Sequence, residues 1–78
     1  MGQDDLVKSV DFYLNISSDA YLDYYRGQVK WVHVTSLCGK KVQFPANLLV
    51  NHITRDGVIG KYRLRYFASG KAIELIKL

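Results

Sequence analysis

The chain is poor in the residues that would mark a secreted, membrane-spanning or multi-domain protein. It has one cysteine, Cys38, which cannot form an intramolecular disulfide, and this favours a reducing compartment. No stretch approaches the roughly 20 apolar residues that a transmembrane helix needs, and no basic start precedes an apolar signal segment. One proline and six glycines leave no linker-like segment among the 78 residues. We therefore expect one domain in a cytoplasmic protein.

Metal-ligating and nucleophilic side chains are also scarce. The only soft ligands are His33, Cys38 and His52, which show neither C-x-x-C nor H-x-x-x-H spacing, whereas structural zinc normally takes four ligands. Asp19 and Asp23 lie one helical turn apart, but acid–base catalysis needs a desolvated pocket that shifts a pKa. The sequence therefore predicts no catalytic residue, no metal site and no cofactor.

Charge is distributed unevenly along the chain, whose net charge is +4. Residues 1–25 contain five aspartates and one lysine, whereas residues 26–78 contain ten lysines and arginines and only two carboxylates. A basic surface of this kind can attract an anionic partner. The ordinary alternative is that these cations cover exposed sheet and keep the protein in solution.

Apolar and polar residues alternate with a period of two in much of the chain, which is the spacing of strands with one buried face. Val10 and Phe12, for example, flank Asp11. Residues 1–8 are polar and predicted to be disordered, so the predicted domain is residues 9–78. The five predicted strands comprise residues 10–16, 28–35, 41–44, 58–67 and 72–78.

A short amphipathic helix is predicted between the first two strands, over residues 19–26. A serine in the Ser17–Ser18 pair can cap its first turn through the side-chain hydroxyl. At 100° per residue, Tyr21, Leu22 and Tyr25 fall on one arc, which we expect to pack on the sheet because two turns are too short to be stable alone. Truncating a fully buried Tyr25 to alanine would then cost roughly 3–5 kcal/mol.

The predicted fold class is α+β, with a small antiparallel five-stranded sheet. Pro45 should end the third strand because it lacks an N–H, and a helical turn is predicted over residues 46–52, before the fourth strand. Gly60 predicts a bulge or a close approach within the fourth strand. A strongly twisted sheet of this size could curl into a barrel of the SH3-like class.

Several sequence blocks together carry a resemblance to a known family. They are Phe12-Tyr13-Leu14-Asn15-Ile16-Ser17, Tyr21-Leu22, Tyr24-Tyr25-Arg26-Gly27, Gly39, Val42-Gln43-Phe44-Pro45-Ala46, Leu48, Leu49, Gly57-Val58, Gly60, Tyr62 and Leu64. With these blocks, residues 12–78 resemble a family of short bacterial proteins, about 70 residues long, known only as a domain of unknown function. Around Val50-Asn51-His52 the chain departs from the family, where Arg-Pro and an aromatic residue are expected. The resemblance implies a small bacterial cytoplasmic protein and carries no catalytic residues.

A row of cations on the fourth strand is the first candidate site. Lys61, Arg63 and Arg65 should point the same way, spaced about 6.6–7 Å apart, and could follow the phosphates of a nucleic acid. The alternative is a solvent-facing strand that its charges protect from edge pairing. Three further cations lie in predicted loops that could flank this row, namely Lys40, Lys41 and Lys71.

Trp31 and His33 form the second candidate site, for contact with a partner. If Val32 and Val34 face the core, Trp31 faces outward beside His33 and could stack on a base or anchor a protein. The alternative is a second core face or cover from the helix. Two non-enzymatic functions therefore compete. One is nucleic-acid binding through the basic strand face, and the other is protein interaction or self-association through exposed aromatics or a sheet edge.

Overall fold

The computed structural model describes residues 6–78. It contains five strands, one α-helix and one short 3₁₀ turn, which agrees with the predicted α+β class and with the predicted order of elements. The elements in chain order are β1 (Val7–Ile16), α1 (Ser18–Tyr25), β2 (Trp31–Thr35), β3 (Lys41–Pro45), the 3₁₀ turn (Ala46–Leu49), β4 (Val58–Phe67) and β5 (Ala72–Lys77).

The N-terminal boundary differs from the expectation of disorder through residue 8. Val7 and Lys8 already belong to β1, since they lie opposite Phe67 and Tyr66 in the ladder with β4. The polar composition of residues 1–8 gives no sign of this pairing. Strands pair through backbone hydrogen bonds, which do not require apolar side chains. The expected disorder of residues 1–5 lies outside the described residues.

All strand pairs are antiparallel, but the strands form two sheets and not one closed barrel. β4 lies between β1 and β5 in the larger sheet, and β2 pairs only with β3 in a separate hairpin. Within residues 6–78, one backbone hydrogen bond joins this hairpin to the larger sheet, from the Leu37 N–H to the Asp11 carbonyl at 2.9 Å. The expectation of an SH3-like barrel is therefore wrong, because closure would need continuous ladders on both sides of the hairpin.

The core lies between the inner face of the three-stranded sheet and the hairpin that crosses it. Phe12 of β1 and Phe44 of β3 are both fully buried, and their rings stack with centroids 5.7 Å apart. Alternation along β1 and β4 places the other buried side chains on this same inner face. They include Val10, Leu14, Val58, Tyr62 and Leu64. The hairpin is thus held mainly by apolar packing.

Helix α1 begins as predicted but buries less of its aromatic face. The Ser17 Oγ accepts a hydrogen bond from the Ala20 N–H at 3.1 Å, which is the expected N-cap. Tyr21 is buried, with 8% of its surface exposed, whereas Tyr25 is 71% exposed. Leu22 is also exposed. The prediction that all three pack on the sheet is therefore wrong for Leu22 and Tyr25, because α1 contacts the narrow 3₁₀ turn and covers it with one edge only.

The two predicted strand interruptions have different outcomes. Pro45 is the last residue of β3 and leads directly into the 3₁₀ turn, as expected. Gly60 continues the β1–β4 ladder opposite Leu14 without a bulge, so an interruption there is wrong. The register shift of β4 lies between Arg65 and Tyr66, on the β5 side. Gly60 nevertheless has a φ of 138°, which residues other than glycine rarely adopt. We therefore still expect Gly60→Val to lower the free energy of unfolding by more than strand propensity alone would.

Gly57 provides a test of how β4 enters the sheet. Its φ is 112°, and a Cβ at this position would lie 2.0 Å from the Ile16 carbonyl oxygen. Gly70 is the matched control, because its φ is 103° but nothing lies within 4 Å of such a Cβ. Urea unfolding should show that Gly57→Ala loses at least about 2 kcal/mol more than Gly70→Ala. Equal losses would contradict the close approach.

The two helix tyrosines provide a second test of the packing. Tyr21→Ala should lower the free energy of unfolding by about 3–5 kcal/mol, because the ring lies in the core. Tyr25→Ala should cost less than about 1 kcal/mol, because most of that ring is in solvent. Denaturant unfolding of both variants measures the difference. The reverse order would restore the sequence-based expectation.

Candidate functional site

The cations of β4 share one face, as the sequence predicts. Lys61, Arg63 and Arg65 alternate with the buried Tyr62 and Leu64, so they lie on the outer face of the three-stranded sheet. The row of three cations predicted from the sequence is therefore present in the fold.

Two of these three cations already have acidic partners. Arg63 donates to both carboxylate oxygens of Asp11, from Nε at 2.8 Å and from Nη2 at 3.1 Å. Arg65 pairs with Glu74 of β5. The hydrogen bond from Arg63 lowers the pKa of Asp11 below its usual value, and the same bond raises the pKa of Arg63. Lys61 is thus the one cation of this row without an ion pair among the described residues.

The three loop cations lie elsewhere, at the end of the domain formed by the β2–β3 and β4–β5 turns. Lys40 donates through Nζ to the Tyr66 hydroxyl at 3.2 Å and lies 5.5 Å from the centroid of that ring. Lys41 follows Lys40 at the start of β3. The Lys71 carbonyl accepts from the Phe67 N–H and closes the other turn. The structure therefore separates the six predicted cations into two groups.

Trp31 and His33 lie on the outer surface of the hairpin. Trp31 is 48% exposed and lies opposite Pro45, while His33 is exposed and lies opposite Gln43. Val32, between them, is buried. Trp31 therefore does not belong to a second core face, and it lies beside helix α1, which covers it only in part.

Trp31 forms one wall of a groove between α1, the start of β2 and the 3₁₀ turn. We call it the aromatic groove. It encloses about 510 Å³, which is within the range of about 300–1,000 Å³ typical of ligand sites. Most of its lining is apolar or aromatic and much of that lining is exposed. The lining includes Tyr24, Tyr25, Val29, Lys30, Trp31 and Val50.

Backbone hydrogen bonds hold the walls of the aromatic groove in place. The Val29 N–H donates to the Asp23 carbonyl at 3.2 Å, so the segment after α1 folds back on the helix end. The Ala46 N–H donates to the Lys30 carbonyl at 2.9 Å and joins the start of β2 to the 3₁₀ turn. Because three elements meet there, no single sequence segment reveals the groove. The high tyrosine content, six of 78 residues, is the sequence feature that points to it.

The soft ligands do not converge. Within residues 6–78, no group of three or more His, Cys, Asp or Glu side chains is close enough to hold a metal ion. His52 bonds through Nε2 to the Leu75 carbonyl at 2.7 Å and packs edge-on against the Tyr62 ring. Cys38 is exposed, and its hydrogen bond with the Ser36 hydroxyl lowers the pKa of the thiol. His52 thus connects the loop after the 3₁₀ turn to the edge of β5.

Fold and surface together define a small α+β domain with an exposed aromatic groove and a sheet face whose arginines are internally paired. Residues 8–78 match the family described as Protein of unknown function (DUF2835), and the chain belongs to that family. This agrees with the resemblance to a domain of unknown function of about 70 residues. No curated protein and no solved structure matches the chain. Among the described residues, no helix has the length and apolar character needed to cross a membrane.

The Asp11–Arg63 pair predicts a specific dependence of stability on pH. Because Arg63 lowers the pKa of Asp11 in the folded state, the pair stabilises the fold above the ordinary carboxyl range. That contribution is lost as the pH falls through the lowered pKa. Asp11→Asn should therefore be less stable than the wild type at pH 7, and the difference should shrink as the pH falls through the lowered pKa of Asp11.

Urea unfolding at a series of pH values measures this difference. Asp23→Asn, on the exposed side of α1, is the control and should show a much smaller change with pH. A stability difference between the wild type and Asp11→Asn that stayed constant from neutral to acidic pH would contradict the role of the pair.

Proposed function

We propose that this protein is a non-enzymatic protein-interaction module whose aromatic groove binds an extended segment of a partner protein. The observation that carries the proposal is the exposure of three large side chains around one cleft. Tyr25, Trp31 and Val50 are 71%, 48% and 51% exposed. Exposed apolar and aromatic side chains gathered in a concave surface are typical of binding sites and unusual elsewhere on a small domain.

The shape and chemistry of the groove favour an extended peptide. Tyrosine and tryptophan offer large contact areas at low entropic cost, since each side chain has only two rotatable bonds. Aromatic-lined grooves recur in domains that bind proline-rich, polyproline II segments, which are already extended before they bind. Trp31 and Pro45 lie opposite each other on the hairpin and form one continuous apolar wall. A partner segment of proline and aliphatic residues fits these features.

Charge defines the partner segment further. Lys30 is the one charged residue among those that line the groove. Within the described residues, Lys30 forms no ion pair. A carboxylate on the partner segment would provide one. We therefore expect a segment that carries an acidic residue beside its apolar anchors, and this charge match would set direction and specificity more than affinity.

Recognition by the groove, in place of catalysis within it, is supported by where the titratable groups lie. Among the described residues, the groups with displaced pKa values are Asp11, Cys38, Tyr62 and Arg63, and none of them lines the aromatic groove. Catalytic groups usually lie in the cleft that holds the substrate. Asp11, Cys38 and Arg63 line a different cleft, of about 290 Å³, where Asp11 and Arg63 already pair with each other. The groove offers contact area and one cation, which suit recognition.

Nucleic-acid binding through Lys61, Arg63 and Arg65 is the weaker candidate. A phosphate contact by either arginine would have to replace an existing pair with a carboxylate, so the free energy gained would be small. Asp11 and Glu74 also lie on the same face and would repel a phosphate backbone. The charged row is better explained as cross-strand pairing that stabilises an exposed sheet face.

Trp31 is the only tryptophan, so its fluorescence reports directly on the groove. The probe is a ten-residue peptide of alternating proline and leucine that ends in glutamate. It should shift the Trp31 emission to shorter wavelength on binding. Tyr25→Ala should weaken binding about tenfold or more, as for a hot-spot aromatic. Tyr13→Ala is the matched control, because Tyr13 is 66% exposed on the outer sheet face and should have no effect.

The charge match is tested by reversal. Lys30→Glu should reduce affinity for the glutamate peptide and raise it for an otherwise identical peptide that ends in lysine. Failure of both peptides to change the Trp31 emission would overturn the choice of partner. A blue shift that depends on protein concentration without peptide, with a dimer in sedimentation, would instead identify a second copy as the occupant.

A further inference from the structure

We propose that this protein has a second binding site, at the end of the domain opposite α1, which binds a phosphate group. The site is a cleft of about 260 Å³ between β3 and the β4–β5 turn. Val42 and Leu64 contribute apolar surface to it, and four polar side chains line it. Those polar residues are Lys40, Lys41, Gln43 and Tyr66, and we call the site the lysine cleft. It is separate from the aromatic groove and does not depend on the function proposed for it.

The central feature of the lysine cleft is the contact between Lys40 and Tyr66. The Lys40 ammonium donates one of its three N–H bonds to the Tyr66 hydroxyl oxygen at 3.2 Å. Two N–H donors of Lys40 remain for a ligand, and the hydroxyl hydrogen of Tyr66 is directed away from the ammonium. The pair therefore presents three donors and one full positive charge to an incoming oxyanion. Phosphate has the oxygen acceptors and the negative charge that such a set requires.

The backbone beneath Lys40 is held rigidly. The Lys40 N–H donates to the Ser36 hydroxyl at 3.0 Å, and the Ser36 N–H donates to the Lys40 carbonyl at 2.8 Å. Ser36 is itself only 5% exposed, so the turn that carries Lys40 is anchored in the protein. A fixed backbone lowers the entropy lost when a ligand binds, because fewer torsions must be ordered.

Other lysines raise the positive potential at this end of the domain. Lys8 lies opposite Tyr66 in the β1–β4 ladder. It is two residues from the buried Val10, so both side chains are on the same face of the sheet, which is the cleft side. Lys71 lies in the turn next to the cleft. Within residues 6–78, no carboxylate forms an ion pair with Lys8, Lys40, Lys41 or Lys71, since Asp11 and Glu74 pair with arginines.

The remaining described carboxylates lie at the other end of the molecule. Asp19 and Asp23 are on α1, and Asp56 belongs to the turn that leads into β4, which approaches Ile16 and Ser17 through Gly57. β1 runs between the two ends, so the acidic and the lysine-rich surfaces are separated along the long axis. Charges of one sign that are not cancelled locally add their fields and attract an anion to that end.

The test uses the full-length protein labelled with ¹⁵N and titrated with inorganic phosphate at constant ionic strength. The amides of Lys40, Lys41, Tyr66 and Gly70 should shift in a saturable way, and sodium chloride at matched ionic strength should not reproduce the shifts. Lys40→Gln should weaken phosphate binding about tenfold or more, which corresponds to a hydrogen bond to a charged group. Tyr66→Phe should weaken it by about threefold or more. Lys61→Gln, which removes one charge of β4 outside the cleft, should leave the affinity unchanged.

Two further arms distinguish the source of the phosphate. Thymidine 5′-monophosphate represents a small phosphate ester, and the ten-nucleotide dT10 represents a nucleic-acid backbone. Equal affinity per molecule for both would indicate a single phosphate ester as ligand. Much tighter binding of dT10, with a steep dependence on salt, would indicate a backbone that spans several lysines. Both outcomes support the site if Lys40→Gln abolishes them. Equal shifts with chloride, or equal loss in Lys61→Gln and Lys40→Gln, would overturn it.

Discussion

β1 and β4 pair residue for residue from Val7 opposite Phe67 to Ile16 opposite Val58, although the helix, the hairpin and the 3₁₀ turn lie between them in sequence. Joining such distant segments costs loop entropy, which the apolar contacts along the inner face of the ladder must offset. The other features depend on this register. It aligns Phe12 and Tyr62 on the face that receives the hairpin, and it places Asp11 across from Arg63 on the other face.

The hairpin depends on that inner face more than on backbone pairing. Its attachment includes the Phe12–Phe44 stack, the buried Val32, one backbone hydrogen bond from Leu37 and the side-chain hydrogen bond from Lys40 to Tyr66. Because apolar packing is less directional than a strand ladder, the hairpin crosses the sheet without closing a barrel. The start of β2 lies next to α1, and the aromatic groove forms between it, α1 and the 3₁₀ turn. The opposite end of the hairpin approaches Tyr66 and forms the lysine cleft.

The outer face of the three-stranded sheet differs from the two ends of the hairpin in how many of its side chains are already paired. On the outer sheet face, two cross-strand pairs neutralise two arginines, so the face has little charge left for a ligand. At the two ends of the hairpin, side chains remain without such partners among the described residues. Trp31 and Tyr25 offer contact area at one end, and Lys40 offers hydrogen-bond donors at the other. The two proposed binding sites lie where elements meet and not along the most charged strand.

The sequence by itself determined the features that depend on neighbours along the chain. The bounds of β4, the inward residues of β1, the Ser17 cap and the end of β3 at Pro45 all follow from local alternation and turn chemistry. Tertiary structure alone decided which surfaces are available. A shift of two residues in the β1–β4 register would separate Asp11 from Arg63 while it kept the same face of each strand inward, so local alternation alone does not set that register. The exposure of Tyr25 likewise depends on the narrow 3₁₀ turn beneath α1, which lies more than twenty residues further along the chain.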